Sequence, residues 1–228
     1  MNFAKLIQDT LATLAPLGCS TAPLPDGLAH ISRNEVDGVL TMATQFVGVA
    51  DFGQLRVVHI HAPKINVVTL FFFPHSHWQL PVYCLELVIF GVQPIIGLLD
   101  SVCLLDMACA PQVADFMTAA HQAYPHLQQS NDMPEWFQEC RSGQDFFLRP
   151  QHTDELTQLG ELHLGLLQNA LKPLLANAQA FDTNGADRHQ QQLQQYKHHH
   201  RINAPGLRLM NRSFGEAWTD HYMNTLFQ

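Results

Sequence analysis

With 228 residues, 46% of them apolar and 14% charged, the chain carries enough apolar material for one folded domain with a core, and it is not a disordered polypeptide. A formal net charge of −8 argues against nucleic acid as the main partner, and no run approaches the ~18 uninterrupted apolar residues of a membrane span. The five cysteines (Cys19, Cys84, Cys103, Cys109, Cys140) are scattered and never form a C-x-x-C pair, so reduced thiols in a cytoplasmic protein are expected rather than a disulfide frame or a zinc site.

The first segment, MNFAKLIQDTLATLAPL, reads as an amphipathic helix rather than a signal peptide, since no cleavage site follows an apolar run. From about residue 20 to about 102 the pattern is that of strands. LAHISRNEVDGVLTMATQF alternates around a turn at Glu35–Gly38. LRVVHIH and KINVVTLFFF are joined by a tight turn at Ala62–Pro63, and VYCLELVIF and IIGLLD by one near Gly91–Pro94. In KINVVTLFFF, Ile65, Val67, Phe71 and Phe73 form one apolar set and Val68, Leu70 and Phe72 the other. A strand apolar on both faces must be covered on both sides.

Helices are available to cover it. APQVADFMTAAHQAY is one; from Thr153–Asp154, Leu156, Leu159, Leu162, Leu166 and Ala170 recur at helical steps and define another. RHQQQLQQYKHHHR carries Leu193 and Tyr196 at helical spacing, and a last helix is expected from Asn203-Ala204-Pro205. The expected architecture is a single domain over residues 1–228: a three-layer α/β/α sandwich with a central antiparallel sheet, and a monomer.

Three features bear on chemistry. Glu86 lies inside VYCLELVIF and shares a strand face with Cys84 and Val88. An apolar setting would raise its pKa and let it hold a proton near neutrality; the alternative is an acid paired at a strand end. His59 and His61 stand two apart and share a face, as do His75 and His77. Either pair could move protons or satisfy a polar network, but no Cys, Asp or Glu supports them within either segment, so no metal is expected. Between Arg188 and Gly215 five basic residues (Arg188, Lys197, Arg201, Arg208, Arg212) occur without one Asp or Glu. This is either a face for an anionic ligand or acidic partner, or an ordinary solvated helix. No G-x-G-x-x-G, G-x-x-x-x-G-K-[ST] or G-x-S-x-G motif is present, so a nucleotide or flavin cofactor has no support and any electrons would come from another protein.

FPHSHWQLPVYCLELV (Phe73–Val88) resembles the FP-x-x-x-x-LP-[hydrophobic]-FG-x-D-[hydrophobic]-V segment of the ferredoxin-dependent bilin reductases. RVVHIH resembles that family's R-K-x-H-x-E strand, MPEWF (Met133–Phe137) its Pro-x-Trp segment, and FFLRP (Phe146–Pro150) its F-x-[hydrophobic]-R-P segment. FGEAWTDHYMNTLF resembles the closing FG-x-x-W-x-x-x-YM-x-x-x-LF, most like the phycocyanobilin-forming branch. The matches run in order over roughly residues 23–228.

The resemblance implies an α/β/α sandwich that binds biliverdin or a close bilin. It implies no bound cofactor, with reduced [2Fe-2S] ferredoxin as electron donor and pocket side chains as proton donors. By position, Glu86 replaces the family's central Asp, which contacts the pyrrole nitrogens. His59 matches its strand His, His61 stands for a Glu donor, and Thr69 for a second His. Asn203 matches an Asn, while Ala204 replaces the following Asp. Catalytic roles are thus expected for Glu86, His59 and His61. Bilin contacts are expected from Thr69, Val67, Val88 and Asn203, with Arg149, Arg201 and Arg208 for the propionates. The substitutions leave three outcomes: a reductase making a phytobilin such as phycocyanobilin, a bilin-binding relative without turnover, or a His-rich metal-binding protein.

Overall fold

In KINVVTLFFF the doubly apolar pattern becomes β5 (Ile65–Pro74), the middle strand of an eight-stranded antiparallel sheet. A computed structural model of the chain describes residues 1–105, 111–127 and 133–228. The other strands are β1 (Cys19–Ala22), β2 (His30–Glu35), β3 (Gly38–Val49), β4 (Gly53–Ala62), β6 (Val82–Phe90), β7 (Gln93–Val102) and β8 (Phe146–Leu148). Their order is β1-β3-β4-β5-β6-β7-β8, with β2 also paired to β3. Consecutive hairpins build the centre, which is why turn chemistry predicted it. The β2–β3, β4–β5 and β6–β7 turns each span two residues at or beside the expected positions.

The sheet parts two apolar faces. Val57, Val68, Leu70, Leu85, Leu87 and Leu99 belong to one core. It is covered by α1 (Phe3–Leu14), α2 (Pro111–Ala123), α4 (Thr153–Leu166) and α5 (Lys172–Ala176). Val58, Ile60, Val67, Phe71, Cys84 and Leu98 belong to the second. Here the cover is α3 (Glu135–Gln138), α6 (Thr183–Asn203), α7 (Leu207–Phe214) and α8 (Glu216–Leu226). The three-layer sandwich expected from sequence is therefore observed, and the α4 leucines 156, 159, 162 and 166 are all buried. The helix expected to start at Asn203-Ala204-Pro205 begins instead at Leu207. α6 ends at Asn203, Pro205 cannot donate within a continuing helix, and Gly215 (φ 89°) separates α7 from α8.

The first core contains one polar bolt. His163 of α4 is fully buried, with Nδ1 facing the hydroxyl of Tyr83 and Nε2 2.7 Å from Thr10 Oγ1. Thr10 in turn donates to the Leu6 carbonyl at 2.8 Å. Since that hydroxyl has one hydrogen, the consistent set runs one way: Tyr83 O–H to Nδ1, Nε2–H to Thr10, Thr10 to Leu6. The ring is neutral, and burial holds its pKa down at about 3. Thus α1, α4 and β6 are tied through a single imidazole.

Cys19, Cys84 and Cys140 carry free thiols, whereas Cys103 is disulfide-bonded, against the expectation of reduced cysteines throughout. Cys109 lies outside the described residues. Among the described residues no helix is long and apolar enough to cross a membrane.

Gly53 opens β4 where the chain leaves a turn, and a Cβ built there would sit 2.3 Å from the Phe73 carbonyl oxygen and 2.7 Å from Pro74 Cα. Both atoms are backbone of the paired strand and cannot rotate away. Gly53→Ala is expected to cost at least ~2 kcal/mol and to lower Tm by ~5 °C or more in a thermal melt.

Candidate functional site

On the second face the strand registers lay side chains out in rows. One row runs Val58–Thr69–Glu86–Leu98–Phe147 across β4 to β8. The next runs Ile60–Val67–Val88–Ile96. Together these rows are the floor of a cavity of about 420 Å³, within the ~300–1,000 Å³ range of sites that enclose a small ligand. Its roof comes from Trp136 and Phe137 of α3, His200 of α6, the non-helical Ala204–Gly206, Met210 of α7, and Tyr222 of α8.

Glu86 is the one carboxylate among the described lining residues. It neighbours Thr69 and Leu98 in register. Loss of hydration pushes its pKa from 4.5 up to about 7, so a large share of the side chain is protonated at neutrality. The row behind it holds Arg56, Phe71, Cys84 and Asp100 in register. Asp100 accepts from the Ser101 N–H at 2.7 Å and the Ser142 N–H at 3.1 Å, yet burial still lifts its pKa to about 7. A proton-holding acid beside an apolar, enclosed volume is the chemistry this face supplies.

Of the residues expected at a site, Glu86, Thr69, Val67, Val88 and Arg149 line this cavity together. Arg149 follows β8, with its guanidinium 5.4 Å from the centre of the Phe147 ring. The histidines of β4 do not join them. His59 pairs with Val68 and His61 with Asn66, while the cavity face of β4 at these levels is Val58 and Ile60. His59 bonds instead to Asn66 Oδ1 at 2.9 Å, and His61 is exposed. The two-residue period of a strand puts His59 and His61 on the face opposite Val58 and Ile60.

Three more expectations fall outside the cavity. Asn203 turns its amide back to the His199 carbonyl at 2.9 Å. Arg201 bonds to Asn224 and lies 3.0 Å from His198 Nδ1, and Arg208 is exposed. His59/His61 and His75/His77 also do not form one four-histidine cluster. The first pair lies on β4 near its end at Ala62, and the second just past the end of β5 at Pro74.

Sequence reasoning missed His200. It packs against Tyr196, Trp136 and Phe71, with Nε2 3.6 Å from Cys140 Sγ. Burial holds it neutral, with a pKa of about 3. The signal was present: Leu193, Tyr196 and His200 continue one helical stripe, so His200 faces inward while His198 is exposed.

Comparison with known proteins gives two findings. The family described as ferredoxin-dependent bilin reductase matches residues 7–228. The crystal structure of selenomethionine phytochromobilin synthase from tomato in complex with biliverdin superposes with a TM-score of 0.81 at 17% identity. The match covers 99% of this chain and 83% of that one, and at this identity it speaks to the fold. No curated protein matches the sequence.

Burial of Glu86 has a measurable cost. A carboxyl whose folded pKa (about 7) exceeds its ordinary 4.5 destabilises the fold above pH 7, and the penalty is relieved as pH falls to about 4.5. Glu86→Gln is therefore expected to be more stable than the parent by roughly 3 kcal/mol at about pH 8, the advantage vanishing near pH 4.5. Urea unfolding at a series of pH values measures it.

Proposed function

The chain belongs to the ferredoxin-dependent bilin reductases, and on that footing we propose that it reduces biliverdin, or a close open-chain tetrapyrrole, to a phytobilin such as phycocyanobilin. The observation that carries this reading is Glu86, an acid held near neutrality on the floor of an apolar cavity. Each two-electron reduction adds two electrons and two protons to the bilin. The electrons arrive singly from reduced [2Fe-2S] ferredoxin, and Glu86 delivers a proton to the reduced pigment. Thr69 does not titrate near neutrality and the floor positions Val58 and Ile60 carry no proton, so Glu86 is reloaded between deliveries if it serves both. His59 and His61, on the opposite sheet face, have no part in this scheme.

The apolar row Ile60–Val67–Val88–Ile96 suits a conjugated ligand, and Arg149 provides a cation for a propionate. Arg208 and Arg212 are exposed on α7, the helix whose Leu209 and Met210 help roof the cavity. An acidic ferredoxin docking there would deliver electrons close to the pigment. The reaction is placed in the cytoplasm, with the protein a monomer.

A second reading, bilin binding without turnover, is favoured by the non-titrating Val58, Ile60 and Thr69 where a reductase could use more donors. Anaerobic addition of biliverdin and then reduced ferredoxin, with products separated by chromatography, decides between them. Binding sharpens the pigment band in both readings, and only a reductase consumes it.

Two variants test the scheme. Glu86→Gln should keep binding and lose about 100-fold or more in turnover, the scale of a general acid. In the parent, turnover should decline as pH rises through about 7, because the acid form is the donor; undiminished rates in the variant would remove Glu86 from the reaction. Arg208→Glu with Arg212→Glu should slow turnover at limiting ferredoxin, an effect that weakens as salt rises, and leave bilin binding unchanged.

A further inference from the structure

Two turns at one end of the sheet bring together three side chains that the bilin site does not use. Asp51 lies in the β3–β4 turn, and His75 and His77 lie in the segment that leaves β5. One ligand atom from each falls within 4.8 Å of the others. Asp51 Oδ1 is 3.7 Å from His75 Nδ1, and Oδ2 is 3.5 Å from His77 Nε2. Four-coordinate zinc has bonds of about 2.0–2.1 Å, which place ligand atoms about 3.3 Å apart. The two carboxylate–imidazole separations exceed this by a few tenths of an ångström, and the three ligand atoms, within 4.8 Å of one another, can close the remainder by side-chain rotation at an exposed site.

The backbone around these side chains is already fixed. His75 N donates to the Phe52 carbonyl at 2.8 Å, Trp78 N to the His75 carbonyl at 3.1 Å, and Phe181 N to the His77 carbonyl at 2.8 Å. Trp78 Nε1 donates to the Asp51 carbonyl at 2.8 Å. His75 Nδ1 also faces that carbonyl at 3.0 Å. Because the indole N–H satisfies it, His75 can turn to an ion without leaving an unpaired acceptor. All three side chains remain open to solvent, so water can complete the coordination.

We infer that Asp51, His75 and His77 form a binding site for a divalent first-row transition ion, of which Zn²⁺ is the type. Two imidazoles and one carboxylate are a donor set for such ions, whereas Ca²⁺ and Mg²⁺ require oxygen ligands. The ion would stitch the β3–β4 turn to the loop that pairs with Ala180, just ahead of α6. The cavity floor uses Val67, Thr69 and Phe71 of β5, whereas this cluster lies beyond the strand end at Pro74, so the ion serves the framework and not the reduction.

Titration of the full chain with Zn²⁺ in a chelator-free buffer, followed calorimetrically, tests the assignment. One saturable equivalent is expected, accompanied by a rise in Tm. Removing an outer-shell partner alone costs about 10–100-fold in metal affinity, so His77→Ala and Asp51→Ala should each weaken binding by about 100-fold or more and abolish the Tm rise. The exposed His198 and half-buried His199 are the obvious adventitious competitors, and His198→Ala with His199→Ala should leave the equivalent intact. Absence of a saturable equivalent overturns the proposal. So does an equivalent that survives His77→Ala and disappears with the 198/199 pair.

Discussion

Everything about this molecule follows from one sheet that must be dry on both sides and yet keep an acid on one of them. β5 has no polar face to give to water, so helices are obliged to close over it above and below. Within the second of those closed faces, Glu86 sits among Val88, Val67 and Leu98. Water removed from around the carboxyl cannot be replaced by the neighbouring methyl groups, and the group responds by keeping its proton. The same exclusion that stabilises the sandwich sets the acidity of the Glu86 carboxyl.

The buried ionisable groups pull in opposite directions. Burial raises the pKa of Glu86 and Asp100 to about 7, while it holds His163 and His200 neutral. On acidification the two acids take up protons in the folded state, and their cost is relieved. The two histidines take up theirs far more readily once unfolded, so their contribution to stability is present above about pH 6.5 and is lost as pH falls toward about 3. The relief of the two acids is largely complete by about pH 4, while the loss from the two histidines continues toward about pH 3.

Much of this was legible in the sequence, for identifiable reasons. The hairpins followed from Glu35–Gly38, Ala62–Pro63 and Gly91–Pro94, where turn residues interrupt alternating runs. α4 followed from its leucines, and Glu86 stood out because an acid in VYCLELVIF is anomalous whatever the partner strand. β4 was harder. Leu55, Val57, Val58 and Ile60 are apolar on both parities, so hydrophobic alternation could not say which face His59 takes, and only its pairing with Val68 decides. A resemblance counted along letters is silent about one-residue slips, and a strand punishes such slips fully. Asp51 was invisible for a different reason: its neighbours His75 and His77 are 24 and 26 positions away, and only the β4–β5 hairpin returns the chain to them.

The imidazole of His163 lies behind the strand that carries Glu86. Tyr83, which it grips, is three residues from Glu86 along the same strand, and the other end of the grip is Thr10 on the first helix. A substitution at Thr10 that removes its hydroxyl would leave the Nε2–H of His163 without its acceptor in a dry core, so the anchorage of the acid-bearing strand to the first helix depends on a side chain that lies outside the cavity.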